Sequence, residues 1–484
     1  MDRAEAEAIY DSGREACVQF ILDLASRVQQ VDQRLERLEA QARQDSRTSS
    51  KPPSSDPPKT RAQRRAEARA KAKELMRRER ERREAGGQPG HQGAGRALKP
   101  EDQVDEIVDH YPDACGGCGR GFDDEQRRPG GRFGRHQVCE LPPISVTWTE
   151  HRTHQLRCRH CRARTSARLP ELASSPFGLR LQAAVVTLTA RHRISRRGIG
   201  ELASDLFGVT LSTGAVDAIC QRASDALAGP HCQLQDWVLD QGAVHVDETG
   251  WRTRGEGRAL WTASTPEATF LQIADHCNRE QFNALIGTGY PGIVVSDRWN
   301  GYSHLDPNQR QVCWSHLQRD FRRHADGLGE QKTFGEHGLA LTRRLFAGWR
   351  AYQHEHHDRQ KLGAEIAPIQ TELRALLEQA SPKKARNRWH RQFANNLLKI
   401  WPALWTFTTH PGVEPTNNPA ERALRAPVIH RKVSLGTQSN TGERFTERAL
   451  SAAATCRQQR RSLFTYLSEL IIAHARGDPF PALA

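Results

Sequence analysis

Three acidic residues far apart in the chain stand where a strand or helix meets a loop: Asp247 in AVHVDETGW, Asp297 in PGIVVSDRWNGY and Glu421 in NNPAERALR. Carboxylates are hard oxygen donors, suited to Mg2+ or Mn2+ rather than zinc. Three of them around a pair of such ions would activate an attacking oxygen and stabilise a leaving one, as an in-line phosphoryl displacement requires. Blander readings stand beside this one. Asp247 and Glu248 could be a solvated strand end, and Glu421 could merely complement the dipole at a helix N-terminus. Strand alternation separates the adjacent pair: His245 and Asp247 would face one side, and Val244, Val246 and Glu248 the other. An acid beside two valines is costly unless paired. Asp247 is therefore the better ligand, with Glu248 a supporting residue open to pairing with an arginine.

A second chemistry is written in Cys115-Gly-Gly-Cys118 and Cys158-Arg-His-Cys161. Each CxxC can present two thiolates from one tight turn, and two such pairs complete a tetrahedral zinc site with no open position, hence a structural one. The segment HQVCELPPISVTWTEHRTHQLRC between them reads as β-strands, as a zinc ribbon requires. Free thiols or a redox pair are the alternatives, but the βαβ context of redox CxxC motifs is missing. Cys139, His136, His154 and His160 are possible substitute ligands.

The acids need a scaffold that brings them together. AVHVDETGW reads as a strand, RALWTASTPEATFLQIAD as two more with a turn near Pro266, and NREQFNALIG as a helix. Ile293-Val294-Val295 is a buried strand ending at Asp297, and RQVCW is a further strand running into the helix SHLQRDFRRH. This is the ribonuclease-H-like order, in which the first and fourth strands are neighbours, so Asp247 and Asp297 can meet at one end of a sheet. The third acid arrives on a later helix, for which Asn417 or Asn418 can N-cap and Pro419 suits the first turn. Residues 325–400, mostly helical, are an insertion into that fold.

Ahead of the strands, RISRRGIGELASDLFGVTLSTGAVDAICQRA reads as two short helices. Ile199, Leu202, Ala203 and Leu206 form one apolar face, Gly208 breaks the helix, and Ser212 caps a second helix with Val216, Ile219 and Cys220 inward. The pattern fits a helix-turn-helix or an ordinary helical hairpin. Arg191, Arg193, Arg196 and Arg197 favour phosphate contact, with Ser212 and Thr213 facing DNA.

At the N-terminus Ile21, Leu24, Val28, Val31, Leu35, Leu38 and Ala42 are alternately three and four residues apart, the a/d seam of a short coiled coil. An amphipathic helix docked on its own domain is the alternative. The Ser/Pro-rich stretch 44–60 is a linker. Residues 61–84 form an Arg-rich helix that could lie along phosphates or carry internal ion pairs, and 85–100 is a Gly-rich connector. The net charge of +14 over 484 residues suits a polyanionic partner. MDRAEAEAIYDSG lacks the regions of a signal peptide, and no stretch has the ~20 apolar residues of a membrane span. A cytoplasmic, nucleoid-associated protein is expected, and its 11 cysteines read as thiols or metal ligands rather than disulfides.

The chain thus reads as multidomain α+β. A coiled-coil helix occupies 1–43, the basic linker 44–100, a zinc ribbon 101–170 and a helical region with a helix-turn-helix 171–235. A ribonuclease-H-like α/β catalytic domain follows at 236–450, then a C-terminal helical region at 451–484.

The strings SSKPPSSD, GGQPGHQG, CGGC…CRHC, HVDETGWR, SDRWNGY, CWSHLQRDF and NNPAERALR, in this order, closely resemble transposases of the insertion sequence 66 family. The resemblance implies a DDE transposase with a ribonuclease-H-like catalytic domain, whose acids are Asp247, Asp297 and Glu421. It implies Mg2+-dependent hydrolysis at the element's ends, releasing 3′-hydroxyls that attack target DNA. The zinc ribbon and helix-turn-helix would recognise the terminal repeats, and small accessory proteins of the element are expected partners. Arg298-Trp299 departs from the smaller, less charged pair expected in SDRWNGY. A DNA-binding regulator without catalysis and a metal-dependent nuclease are the competing functions.

Overall fold

The computed structural model describes residues 10–42, 97–127, 134–354, 358–381 and 388–484. The Arg-rich helix of 61–84 and nearly all of the two linkers beside it lie outside the described residues. Contacts divide the chain into two units, residues 58–146 and residues 1–57 with 147–484, each described by itself.

In the smaller unit, Gln137 exchanges hydrogen bonds with both backbone groups of Lys99. A turn at Cys115 is closed by a bridge between Ala114 and Gly121. The strands read over the segment between the two CxxC pairs do not form at described residues 134–146 of this unit, nor at 147–154 of the other. Pro142 and Pro143 remove two donors from the middle of that run.

The larger unit is mixed α+β. It begins with helix α1 (Arg14–Ala42), on which the seam residues Ile21, Leu24, Val28 and Val31 are exposed. A small hairpin, β1 (Gln155–Arg157) with β2 (Arg164–Ser166), follows. Four helices come next: α2 (Leu179–Ala190), α3 (Arg196–Phe207), α4 (Thr213–Ala226) and α5 (Ala228–Leu239). Ser195 caps α3, Gly208 ends it in the left-handed region, and Ser212 caps α4. Ile199 and Ala203 are buried as the periodicity requires, whereas Leu206 is exposed.

Strands β3 (Ala243–Thr253), β4 (Glu256–Ser264) and β5 (Thr269–Ala274) form an antiparallel meander. Helix α6 (Arg279–Ile286) crosses to β6 (Ile293–Ser296), and β7 (Arg310–Val312) completes the sheet. The strand order is β5-β4-β3-β6-β7. β6 runs parallel to β3, with His245 opposite Val295, and β7 runs parallel to β6. Helix α7 (Trp314–Ala325) leads into a helical excursion, α8 (Gly329–His354), α9 (Arg359–Ala380) and α10 (Arg388–Lys399). The chain returns through α11 (Asn418–Ser434), α12 (Asn440–Gln458) and α13 (Leu463–Arg476).

One hydrophobic core runs from Ala183 in α2 through Val244 and Val246 to α12, α13 and Leu483. A second joins β6, β7 and α7 to the helical excursion. Contact between α7 and α8 is close because Gly338 lies against the Phe321 ring, where a Cβ would come within 2.1 Å.

Both sheet edges are covered. Along β5 the N–H groups of Thr269, Leu271 and Ile273 donate to Thr455, Ser451 and Glu447 of α12 at 3.1, 2.9 and 2.6 Å. Four residues of helix rise ~6 Å and two residues of strand ~6.7 Å, so one helix face keeps step with alternate strand donors. At the other edge, Thr406 donates to the Arg310 carbonyl and Gln311 accepts from the Phe407 N–H.

Candidate active site

Because β3 and β6 are adjacent and parallel, Asp247 and Asp297 emerge at the same end of the sheet. Helix α11 packs across β3 and brings Glu421 to that end. These acids and Glu248 line one cavity of about 800 Å³, together with Arg298, His316, Arg319 and Arg425. Alternation along β3 holds: Glu248 lies on the face of Val246 and Trp261 and meets Tyr302, while His245 on the Asp247 face meets Asn417. Pairing between β3 and β6 stops at His245, and the cavity wraps round the edge left open beyond it.

Asn417 fixes α11. It stands at the N-cap position but makes no side-chain cap bond. Its fully buried side chain instead donates to the Val246 carbonyl at 2.7 Å and accepts from His245 Nδ1 at 3.2 Å. Its N–H donates to Cys313 Sγ at 3.2 Å, and the Trp314 N–H donates to the Pro415 carbonyl at 2.8 Å. The strings HVDE, CWSH and NNPAE are thus laced together around one side chain. Sequence reasoning assigned Asn417 only a capping role; the signal it missed was a pair of asparagines, of which one suffices for a cap.

Cys313, His316 and Glu421 offer three ligand atoms within 4.8 Å of one another, and the acids are set more widely than this. His316 Nδ1 lies 3.6 Å from Glu421 Oε1, and Arg319 approaches the same oxygen at 4.0 Å. His316 escaped the sequence reading. Cysteine and histidine one helical turn apart in CWSH was the available signal.

Burial is the first cause of every carboxyl shift in the cavity. It pushes Asp247 well above the ordinary range, helped by the charges of Glu248, Asp297 and Glu421. Glu248 is pushed up to about 7, by burial and then by Asp297. Asp297 and Glu421 are also raised, although Arg310 and Arg298 oppose the first and Arg319 and Arg425 the second. The neighbouring arginines do not neutralise this cluster. Arg298, the unexpected residue, is engaged by Asp320 and stacks 4.9 Å over Phe393. Trp299 folds back over Gly301, where a Cβ would come within 1.9 Å of the ring.

The helix-turn-helix candidates are only partly free. Arg197, Ser212 and Thr213 are exposed, whereas Arg193 and Arg196 are half-buried. Arg196 meets Asp217 at 3.3 Å and lies 5.5 Å over Phe445.

The two cysteine turns are copies of each other. The Cys115 N–H donates to the Arg120 carbonyl at 2.8 Å, and Gly119 N–H returns to the Cys115 carbonyl at 2.9 Å. At the second turn, Cys158 and Ala163, then Arg162 and Cys158, repeat these bonds at 2.8 and 3.0 Å. Gly119 and Arg162 both have positive φ, +72° and +59°. Backbone N–H groups lower the thiol pKa of Cys115, chiefly that of Gly117, and of Cys158, chiefly that of Cys161.

Comparison with known proteins bears on this arrangement. Residues 174–444, more than half of the chain, match the family model described as Transposase IS66 family. The chain belongs to the IS66 family of transposases. Residues 2–97 match a second model, described as a family of unknown function, DUF6444. A protein of Sinorhizobium fredii (strain NBRC 101917 / NGR234), described as uncharacterized protein y4qI, is 26% identical over 210 residues, covering 40% of this chain and 37% of that protein. The chain therefore spans well under half the length of this relative.

IS66 family membership implies a divalent metal. The residues present fit such an ion. Glu421 Oε1 is buried without a hydrogen-bond partner. Asp247 and Asp297 each accept one backbone N–H, at 3.0 and 2.8 Å, and the donors are hard oxygens. No helix among the described residues is long and apolar enough to cross a membrane.

Proposed function

We propose that the chain is a DNA transposase that binds the terminal inverted repeats of an insertion sequence and performs Mg2+-dependent cleavage and strand transfer. The catalytic domain is read as ribonuclease-H-like, with Asp247, Asp297 and Glu421 as the acids of a DDE site. The observation that carries this reading is four acids raised together in one cavity despite the arginines around them. Such a cluster is destabilising alone and is relieved by a divalent cation.

Asp247, Asp297 and Glu421 would hold Mg2+ or Mn2+, which supplies activation of the attacking oxygen and stabilisation of the leaving one. Arg319 and Arg425 on the cavity wall offer charge to phosphates flanking the scissile bond. His316, kept neutral because burial presses its pKa to about 3, stands where it can orient Glu421.

Double-stranded DNA is the partner of the α3–α4 pair, through Arg193, Arg196, Arg197, Ser212 and Thr213. We assign structural zinc to Cys115, Cys118, Cys158 and Cys161. The bare seam of α1 supports self-association as a coiled coil, and accessory proteins of the same element complete the assembly.

The test incubates purified protein with its element-end DNA and Mg2+, beside Asp297→Asn. Cleavage and joining by the parent, with binding alone by the variant, is the expected result. Persistent cleavage by the variant would sink the assigned acids, and binding without cleavage by the parent, accessory proteins supplied, would indicate a silent regulator.

A further inference from the structure

Glu248 has no part in a three-acid site, yet the fold holds it there. Its Oε2 accepts a hydrogen bond from the Tyr302 hydroxyl at 2.6 Å. Tyr302 is completely buried, with Phe282 and Trp299 edge-on at 5.1 and 5.3 Å and the Arg310 guanidinium 5.5 Å over its ring. Arg310 also donates to the Tyr302 carbonyl at 3.1 Å. The ring therefore cannot turn, and its one polar atom is directed at Glu248. The Cys277 thiol lies near the same carboxylate and favours its charged form. Arg258, a cation of the cavity wall, is committed to Asp275 and Glu443 instead. An acid that merely pointed outward would turn to water; this one is held in the cavity that Asp247 and Asp297 also line, and is given no cation of its own among the described residues.

We propose that Glu248 is a fourth carboxylate ligand of the divalent metal centre, and that Tyr302 is the positioning residue that aims it. This rests on reading the cavity as a divalent-metal site. The arrangement gives SDRWNGY two tasks: Asp297 contributes a ligand, and Tyr302 orients the ligand supplied by the neighbouring strand. Gly301 and Trp299 between them close the ring's cage.

The test is calorimetric titration of the full-length protein with Mn2+, without DNA, supported by the Mn2+ electron paramagnetic resonance spectrum. Glu248→Gln keeps an oxygen for Tyr302 to donate to but removes the charge. Affinity should fall at least about tenfold, and Tyr302→Phe should fall by about tenfold, the usual loss for an outer-shell partner. Parental affinity and spectrum in Glu248→Gln would overturn the proposal. Asp297→Asn, titrated in parallel, separates the two readings. If it loses Mn2+ while Glu248→Gln does not, only the fourth ligand is wrong; if neither variant changes, the metal reading of the cavity fails with it. Should Glu248→Gln not fold, as judged by circular dichroism, unchanged Mn2+ affinity in Tyr302→Phe is the refuting result.

Discussion

Asn417 donates its side-chain amide to the carbonyl of Val246, the residue directly before Asp247, at 2.7 Å. The helix that brings the third acid is thereby registered against the strand that brings the first. The buried Asn417 amide, with Arg431 donating to Thr249 farther along, ties that helix to the strand independently of the acids.

Removing that amide should uncouple the two. Asn417→Ala leaves the Val246 carbonyl and His245 Nδ1 without their partner, at a cost of about 1–3 kcal/mol for each buried group left unsatisfied. Urea denaturation should show the loss, and DNA cleavage should fall far more than DNA-end binding. Equal losses in both assays would mean that Asn417 serves the fold alone.

Metal binding and stability should depend on pH in opposite senses. Burial pushes Glu248 and Glu447 up to about 7. A carboxyl raised in the folded state contributes stability below its unfolded value, and that contribution is lost as pH rises through about 7. The buried His231 and His245, pressed down to about 4, act oppositely but only below pH ~6.5. Without metal, Tm should therefore fall between pH ~6.5 and 8, while Mn2+ affinity climbs over the same interval. An apo Tm that rises across this interval would contradict the buried-acid account.

The Trp299–Gly301 contact should tolerate no methyl group. Gly301→Ala places a Cβ within 1.9 Å of the indole, which must leave its place beside Trp261 and Tyr302. Overpacking of this kind costs about 1–3 kcal/mol. Gly257→Ala is the control, since nothing lies within 4 Å of a Cβ there. Denaturant midpoints that move equally in both would refute the contact.

The cysteine turns should determine zinc content. Purified protein should carry about one zinc ion per chain, and Cys115→Ser with Cys118→Ser should remove it, as read by atomic emission. Exposed Cys232, changed to Ser, should leave the content alone. Protein that is folded and zinc-free before any substitution would end the assignment.

Much of the sheet was legible because its signals are local. Valine-rich runs, the turn near Pro266 and the helical run NREQFNALIG each mark an element without reference to any other. The neighbouring positions of Asp247 and Asp297 followed from strand order alone. Alternation put Glu248 on the Val246 face, where it meets Tyr302; it did not show that both faces of β3 open into one cavity once β6 pairing ends at His245. Tyr302, Asn417 and His316 stayed hidden for a related reason. Their contacts join residues that lie 54, 171 or more positions apart, or rest on a helix face whose partner is unknown until the chain folds back. Arg298 stood out only as a departure from the expected smaller, less charged pair; that Asp320 and Phe393 engage it depends on segments brought in by the fold.

The rungs from α12 to Thr269, Leu271 and Ile273 occupy the donors through which an edge strand recruits another. With Gln311 and Thr406 closing the opposite border, neither end of the sheet is left to zip onto a sister molecule. Two copies of this chain can therefore meet without exchanging strands through these edges, and any lasting union between them must be made by other surfaces.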